Sequence, residues 1–418
     1  MNNIVNSAVG LIVEYNPMHN GHVYHLEESK KLTQSSAVVA VMSGHFLQRG
    51  EPAIVSKWAR TEMALTLGVD LVLELPAAYA VQPAEWFAYG AVATLHHTGV
   101  VDSLCFGSES GELAPLVELA DLLASEPQAL ASLLQQQLAS GASYPAAYAA
   151  AAAALAPGSD PAGALALLKQ PNNTLGLHYL IALRRLGSAI RPFTAQRTGA
   201  GYHDAMPSTG SIASATAVRR LLLGEDGLAA AAPYVPAEVL AILQREWQNG
   251  RAPVDLERYR DALFTQLVTK SPKELARFGE VTEGLEHRLL KMLPQLPELS
   301  IHALLEAVKT KRYTKTKLQR MLTHILLHHE KEKMTPDILR QGPHYIRVLG
   351  FTDKGQALLK EMRKKATLPI VIKTSAFEHD QLTWDQQATA VYGMGMPKPD
   401  PRLLYRDFYE SPVRIVEK

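Results

Sequence analysis

The 418-residue sequence holds a single cysteine, Cys105, so it supports neither an intramolecular disulfide framework nor a cysteine-rich zinc module. Long hydrophobic runs are also missing. The blandest stretch, Ala146 to Ala156, is mostly alanine, contains Tyr148 and falls far short of the roughly 20 apolar residues that span a bilayer. Neither charge sign is in excess: 42 Lys and Arg face 41 Asp and Glu, for a formal net charge of +1. A nucleic-acid surface would therefore need local segregation of charge. The N-terminus lacks a basic region, and its apolar run Ala8 to Val13 meets Glu14 before it reaches signal-peptide length. The expectation is a cytoplasmic protein with no leader and no membrane partner. A composition of 47% hydrophobic and 20% charged residues is that of an ordinary globular chain, long enough for two or three domains.

The first third alternates short apolar runs with helical patterns, the signature of βαβ units and a parallel sheet. Ala8 to Val13, Ala37 to Met42, Val69 to Leu75 and Val101 to Phe106 read as buried strands. Two or three inserted helices are expected over 112–169, then a helix from Thr174 to Leu186, a strand from Ala189 to Ala195 and a helix starting near Ser214. Pro233 and Pro236 punctuate the chain before a mainly helical pattern. The expected fold class is α/β: a Rossmann-like parallel-sheet domain over 1–230 with the helical insertion, followed by a mainly helical domain over 231–418. Ligands of such sheets bind where strands run into helices.

The first strand leads into Glu14-Tyr15-Asn16-Pro17-Met18-His19-Asn20-Gly21-His22, and an amphipathic stretch follows directly. A helix N-terminus attracts phosphate through its unpaired N–H groups and partial positive charge. His19 and His22, three residues apart, can converge on a transferring phosphoryl group, while Gly21 leaves room for a nucleotide against the backbone. A polar turn capped by histidines and a zinc site built from His19, His22 and His25 are the other readings of this string. Downstream, Ser214, Thr216 and Arg219 open a helix that can hold a second phosphate, although Ser214 also reads as an ordinary N-cap.

The H-x-G-H turn with a Ser/Thr-rich helix start far downstream resembles the HIGH-type nucleotidyltransferase superfamily. More specifically, Val13 to Leu26 (VEYNPMHNGHVYHL), Val41 to Arg60 (VMSGHFLQRGEPAIVSKWAR), Phe106 to Glu109 (FGSE), Lys169 to Gly176 (KQPNNTLG) and Ala195 to Asp204 (AQRTGAGYHD) resemble the bacterial tRNA(Met) cytidine acetate ligase family. The likeness continues through Glu283 to Leu289 and Tyr345 to Phe351. It implies an enzyme that joins acetate to the α-phosphate of ATP, with Mg²⁺ bridging the triphosphate on ligands the sequence does not identify. The enzyme would then acetylate N4 of the wobble cytidine of elongator tRNA(Met).

By the same resemblance the ATP site comprises Ile12, Val13, Glu14, Tyr15, Asn16, Pro17, Met18, His19, Asn20, Gly21, His22, Val23, Tyr24 and His25, with Gly107, Asn172, Arg197 and Thr198. His19 and His22 are the expected catalytic pair, and no protein metal site is assigned. Ala215 stands where many superfamily members carry a second serine.

A basic cluster of Lys309, Lys311, Arg312, Lys315, Lys317 and Arg320 with Tyr313 inside it offers a surface for tRNA, and Arg363, Lys364 and Lys365 form a smaller patch. Lys57 and Arg60, on a helix after the QRGEP turn, suit either a contact with phosphate or RNA or plain surface. Cys105 reads as a packing residue, and no protein partner is evident. A small-molecule adenylyltransferase and a non-catalytic RNA-binding module on the same fold are the competing functions.

Overall fold

The structure is a computed structural model and describes residues 7–156, 160–197 and 212–416. Its centre is an eight-stranded sheet. Five strands are parallel: β1 (Ala8–Val13), β2 (Ala37–Ser43), β3 (Leu71–Leu75), β4 (Ser103–Ser108) and β5 (Arg191–Gln196). In space they run β5-β4-β1-β2-β3, so the order reverses between β1 and β4. At such a reversal the crossovers leave toward opposite sides and a crevice opens beyond the strand ends.

The strand runs are continuous in apolar residues because both faces of the sheet are covered. Successive side chains of β2 alternate between two cores. Val39 and Val41 join the cluster with Leu71, Leu73 and Leu180, whereas Val38, Ala40 and Met42 join that with Leu26, Met63 and Cys105. Cys105 is buried, in keeping with a packing role.

The helices that matter here are α1 (Asn20–Thr33), α2 (Lys57–Thr66), α3 (Ala77–Ala80) and α4 (Ala84–His97). The insertion holds α5 (Ala114–Leu123), α6 (Gln128–Ala139), α7 (Tyr144–Ala154) and α8 (Pro161–Leu168), four helices among its described residues where two or three were expected. Then come α9 (Pro171–Arg185) and α10 (Ala215–Leu223). Within the insertion, Gly141 sits in an exposed turn at φ +87, where a Cβ would meet nothing within 4 Å. No helix of the described residues is long and apolar enough to cross a membrane.

The later half is chiefly helical, yet it returns three strands to the sheet. β6 (Ile346–Phe351) pairs antiparallel with β3, and β7 (Ile370–Val371) and β8 (Val413–Arg414) pair with β6. Ile346, Val348 and Met362 sit in the same core as β1 to β3. Phe46, Ala77 and Val81 in turn enter the core of the helices after residue 250. The two parts expected to divide near residue 230 therefore share cores in both directions.

Lys57 and Arg60, one turn apart on α2, are both fully buried, so neither is surface. Lys57 Nζ lies 2.8 Å from Glu74 Oε1 on β3 and 2.8 Å from Asp407 Oδ2 near the C-terminus, and Arg347 on β6 reaches Asp407 at 3.5 Å. Burial acts against the Lys57 charge, but Asp407 and Glu74 more than reverse this and raise its pKa. Arg60 donates to the carbonyls of Glu14 at 2.6 Å and Ser43 at 3.0 Å, and also to those of Gly44 and Val55. It thereby gathers the ends of β1 and β2 onto one guanidinium.

Candidate active site

A cavity of about 260 Å³ opens at the reversal point, beyond the ends of β1 and β4. Its walls come from the β1–α1 turn, the turn Gln48–Glu51, Phe106 and Gly107 of β4, the start of α9, the end of β5 and the start of α10. His19 is the N-cap of α1. Its Nδ1 accepts the Gly21 N–H at 3.1 Å, and His22 Nδ1 accepts the His19 N–H at 3.3 Å. With both Nδ1 atoms accepting, each neutral ring carries its proton on Nε2 and is a donor there. The rings lie 3.8 Å apart, centroid to centroid, and Tyr15 meets His22 edge-on at 5.1 Å.

Burial, aided by the Arg197 and Arg219 charges, pulls the His19 pKa down to about 3. Burial and the neighbouring His19, Arg197, His25 and Arg219 push His22 well below its usual value. Desolvation and the Arg197 charge pull His25 down to about 4. The site therefore presents neutral imidazoles at physiological pH, donors without charge.

The histidine cap and the catalytic reading fall on the same two residues, the cap on Nδ1 and the free donor on Nε2. The Gly21 N–H is taken by His19, so it is not among the unpaired groups of the helix N-terminus. A Cβ on Gly21 would stand 3.0 Å from His19 Cε1, so the glycine makes room for that ring.

Of the expected ATP-site residues, Ile12, Val13, Glu14, Tyr15, Asn16, His19, Gly21, His22, Tyr24, His25, Gly107, Asn172 and Arg197 line the cavity, and Ser214, Thr216 and Arg219 join them. Pro17, Met18, Asn20 and Val23 do not. Met18 is wholly buried in the core, Val23 packs against that core, and Asn20 donates to the Pro233 carbonyl at 3.2 Å. Thr198 lies outside the described residues.

Asn172 is tied to Glu109, its N–H and side-chain amide both donating to Oε1, at 3.1 and 2.6 Å. Glu109 Oε2 accepts the Asn173 N–H at 2.9 Å, while Asn173 Oδ1 accepts that of Glu109 at 2.9 Å. This reciprocal latch caps α9 across the base of the insertion.

Ser214 is the N-cap of α10 and accepts the Ala217 N–H at 3.1 Å. Arg219 donates to the Asn16 carbonyl at 3.0 Å and to Glu51 Oε1 at 3.0 Å. Burial raises the Glu14 pKa, although the Gln48 N–H at 2.8 Å works the other way.

Sequence reasoning assigned nothing to Gln48, Arg49 and Glu51, although they stand within the quoted Val41 to Arg60 segment. It also missed Phe87, Leu175 and Tyr179, whose apolar side chains on α4 and α9 read as ordinary core positions.

The turn Gln48–Glu51 rests on the helix Lys315–Leu326. Gly50, at φ +73, lies so close that a Cβ would stand 2.2 Å from the Arg320 backbone N, and Thr323 Oγ1 donates to the Gly50 carbonyl at 2.8 Å. The basic helix is thus joined to one wall of the cavity.

Its cluster is only partly available. Arg320 is buried against Glu280 at 3.0 Å and is not the surface contact expected. Arg312 is forked onto Glu283 at 2.8 Å, Tyr313 packs on the helical core and donates to the Glu283 carbonyl, and Lys317 Nζ donates to Thr282 at 3.0 Å. Lys309 has only a 3.8 Å approach to Glu306, and Lys309, Lys311 and Lys315 are exposed.

Residues 6–406 match the family model described as HIGH Nucleotidyl Transferase. The tRNA(Met) cytidine acetate ligase of Bacillus velezensis is 45% identical over 413 residues, covering 98% of each chain. The chain belongs to the tRNA(Met) cytidine acetate ligase family. The Bacillus subtilis ligase of that name is 43% identical over 416 residues, again covering 98% of each chain. The crystal structure of Thermotoga maritima TmcAL in its apo form superposes with a TM-score of 0.92 at 36% identity, covering 98% of this chain and 100% of that one. The same ligase bound with alpha-thio ATP gives a TM-score of 0.89 at 35% identity, with the same coverage. The ligase fold thus spans both the sheet and the helices that follow it.

Proposed function

We propose that this chain forms acetyl-adenylate from acetate and ATP in the cavity at the β1–β4 reversal and passes the acetyl group to N4 of the wobble cytidine of elongator tRNA(Met) in the cytoplasm. The observation that carries this reading is the pair of neutral imidazoles whose Nδ1 atoms are held by the turn and whose Nε2–H groups remain as donors.

Acetate is already ionised at neutral pH and needs no general base. One of its oxygens bonds to the α-phosphorus, the bond from that phosphorus to the bridging oxygen breaks, and pyrophosphate leaves with the electron pair. Negative charge spreads over the phosphoryl oxygens as this happens. Donors fixed beforehand stabilise that charge without reorganising, and His19 and His22 are fixed by the backbone they cap. Arg197 and Arg219 add positive charge to the same wall. In the second half, the cytidine amine attacks the acetyl carbon, loses a proton, and AMP departs. Extrusion of the base from its stack would deliver it to the cavity.

The Mg²⁺ expected to accompany ATP finds no cage among the described residues. Among the described residues no group of three His, Cys, Asp or Glu could hold a metal, and the Glu51 carboxylate is already paired with Arg219. Magnesium characteristically keeps several waters and binds through phosphates. It would ride on the triphosphate, and no step above depends on a protein ligand to it.

Exposed Lys309, Lys311 and Lys315, on a helix and its approach joined to the cavity wall through Gly50, support tRNA docking on that side. Exchange of labelled pyrophosphate into ATP tests the reading. It is expected only when acetate is present, and exchange that ignores acetate would overturn it.

A further inference from the structure

A second cleft, of about 710 Å³, lies at the β7 edge of the sheet. Its trough is apolar, built from Ala366, Leu368, Ile370, Ile372 and Phe377, and Arg363 and Lys373 stand over it. Both cations are exposed, and neither has an ion pair or side-chain hydrogen bond among the described residues. In contrast, Lys364 between them in sequence is paired with Glu361 at 2.8 Å. None of the described side chains lining the cleft is acidic.

We propose that this cleft binds a single-stranded nucleotide of the tRNA, with the base in the trough against Phe377 and the flanking phosphates on Arg363 and Lys373. The inference rests on the tRNA ligase reading and adds a subsite to it.

The chemistry fits this occupant. A flat apolar base wants a trough with an aromatic wall, and a backbone with one negative charge per nucleotide wants cations at the rim. A purely apolar partner would leave two desolvated cations unpaired, and an RNA strand neutralises both.

Placement fits as well. Glu74 at the end of β3 pairs with Arg347, and Arg347 with Val371 on β7, so the cleft is level with the strand ends at which the catalytic cavity opens. Four strand-to-strand steps separate β1 from β7, about 19 Å at roughly 4.8 Å each. At about 3.4 Å per stacked nucleotide that is some six nucleotides, a distance an anticodon stem-loop covers while its wobble base enters the cavity.

The test measures direct tRNA binding across a salt series, together with acetate-dependent ATP–pyrophosphate exchange, on the full chain. The double variant Arg363→Glu with Lys373→Glu is expected to weaken tRNA binding on the order of ten-fold or more and to lower the salt slope by about 2, with exchange unchanged. Phe377→Leu is expected to weaken binding on the order of five-fold without altering the slope. Arg363→Gln with Lys373→Gln replaces the double reversal if its melting temperature falls.

Unchanged affinity and salt slope in a folded double variant would overturn the subsite. Absence of acetate-dependent exchange in the wild-type protein would overturn the ligase reading instead. The binding measurement does not depend on that chemistry and decides the cleft by itself.

Discussion

The imidazoles of His19 and His22 lie with centroids 3.8 Å apart and planes tilted by 31°, while each Nδ1 accepts a backbone N–H of the turn that carries it. One nitrogen of each ring thus serves the fold and leaves the other for chemistry, and substitutions can separate the two. In His22→Asn the amide oxygen falls near the Nδ1 position and keeps the acceptor, but nothing replaces the Nε2 donor. Near-native melting with a loss of 10²- to 10³-fold in exchange rate is expected, about the cost of removing one preorganised donor. In His22→Gln the amide reaches toward Nε2 and forsakes the cap. A stability loss of about 1 kcal/mol with partial activity is expected there. Full exchange activity in His22→Asn would mean the ring has no role beyond capping.

The same burial predicts a pH effect on stability. The His19 pKa in the folded chain, about 3, lies below the ordinary 6.5 of an unfolded histidine. Between those values the unfolded chain takes up a proton that the folded chain refuses, so stability is intact above pH 6.5 and lost as pH falls toward 3. From pH 6.5 to 5 the share of His19 is about 1.6 kcal/mol. Urea titrations of wild type and His19→Asn should converge by that amount over this window, and parallel pH curves would contradict the assignment. Exchange activity should show no His19 titration between pH 6 and 8.

Lys57 balances Glu74 and Asp407, drawn from strands and helices at opposite ends of the sequence. Lys57→Met keeps much of the volume but strips the buried Glu74 of its cation and leaves Asp407 only Arg347, 3.5 Å away, so a loss of about 3–5 kcal/mol is expected. Arg184→Ala, which removes an exposed pair with Asp121, is the control and should cost less than about 1 kcal/mol. Comparable midpoints for the two in chemical denaturation would show that the buried cluster contributes no more than a surface pair.

Arg219 spans the cavity wall from the Asn16 carbonyl to Glu51. Removing it as Arg219→Ala frees a carboxylate beside the triphosphate as well as deleting a cation. The KM for ATP should rise on the order of ten-fold or more, and the added change Glu51→Gln should recover part of it. If the double variant is no better than the single one, Glu51 does not act through its charge.

Sequence reading reached the strands of the parallel half and the turn bearing the two histidines. A parallel strand covered on both faces is written as an unbroken apolar run, as Val38 to Met42 shows. The departures share a cause. Lys57 and Arg60 look like the wet side of α2, and only folding brings Glu74, Asp407 and the strand-end carbonyls around them. Arg320 belonged to a linear run of basic residues, and Glu280, 40 positions away, removes it from the surface. Ile346–Phe351 is a short apolar run among helical patterns and gives no sign that it will pair antiparallel with β3. Partners distant in sequence decide each of these cases.

The latch between Glu109 and Asn172 makes the excursion of the insertion begin and end at one address, 63 positions apart along the chain. Whatever is spliced into the open turn at Gly141 hangs from a doorway whose two jambs are already pinned together. A reporter domain placed there would travel with the enzyme while leaving the nucleotide crevice undisturbed.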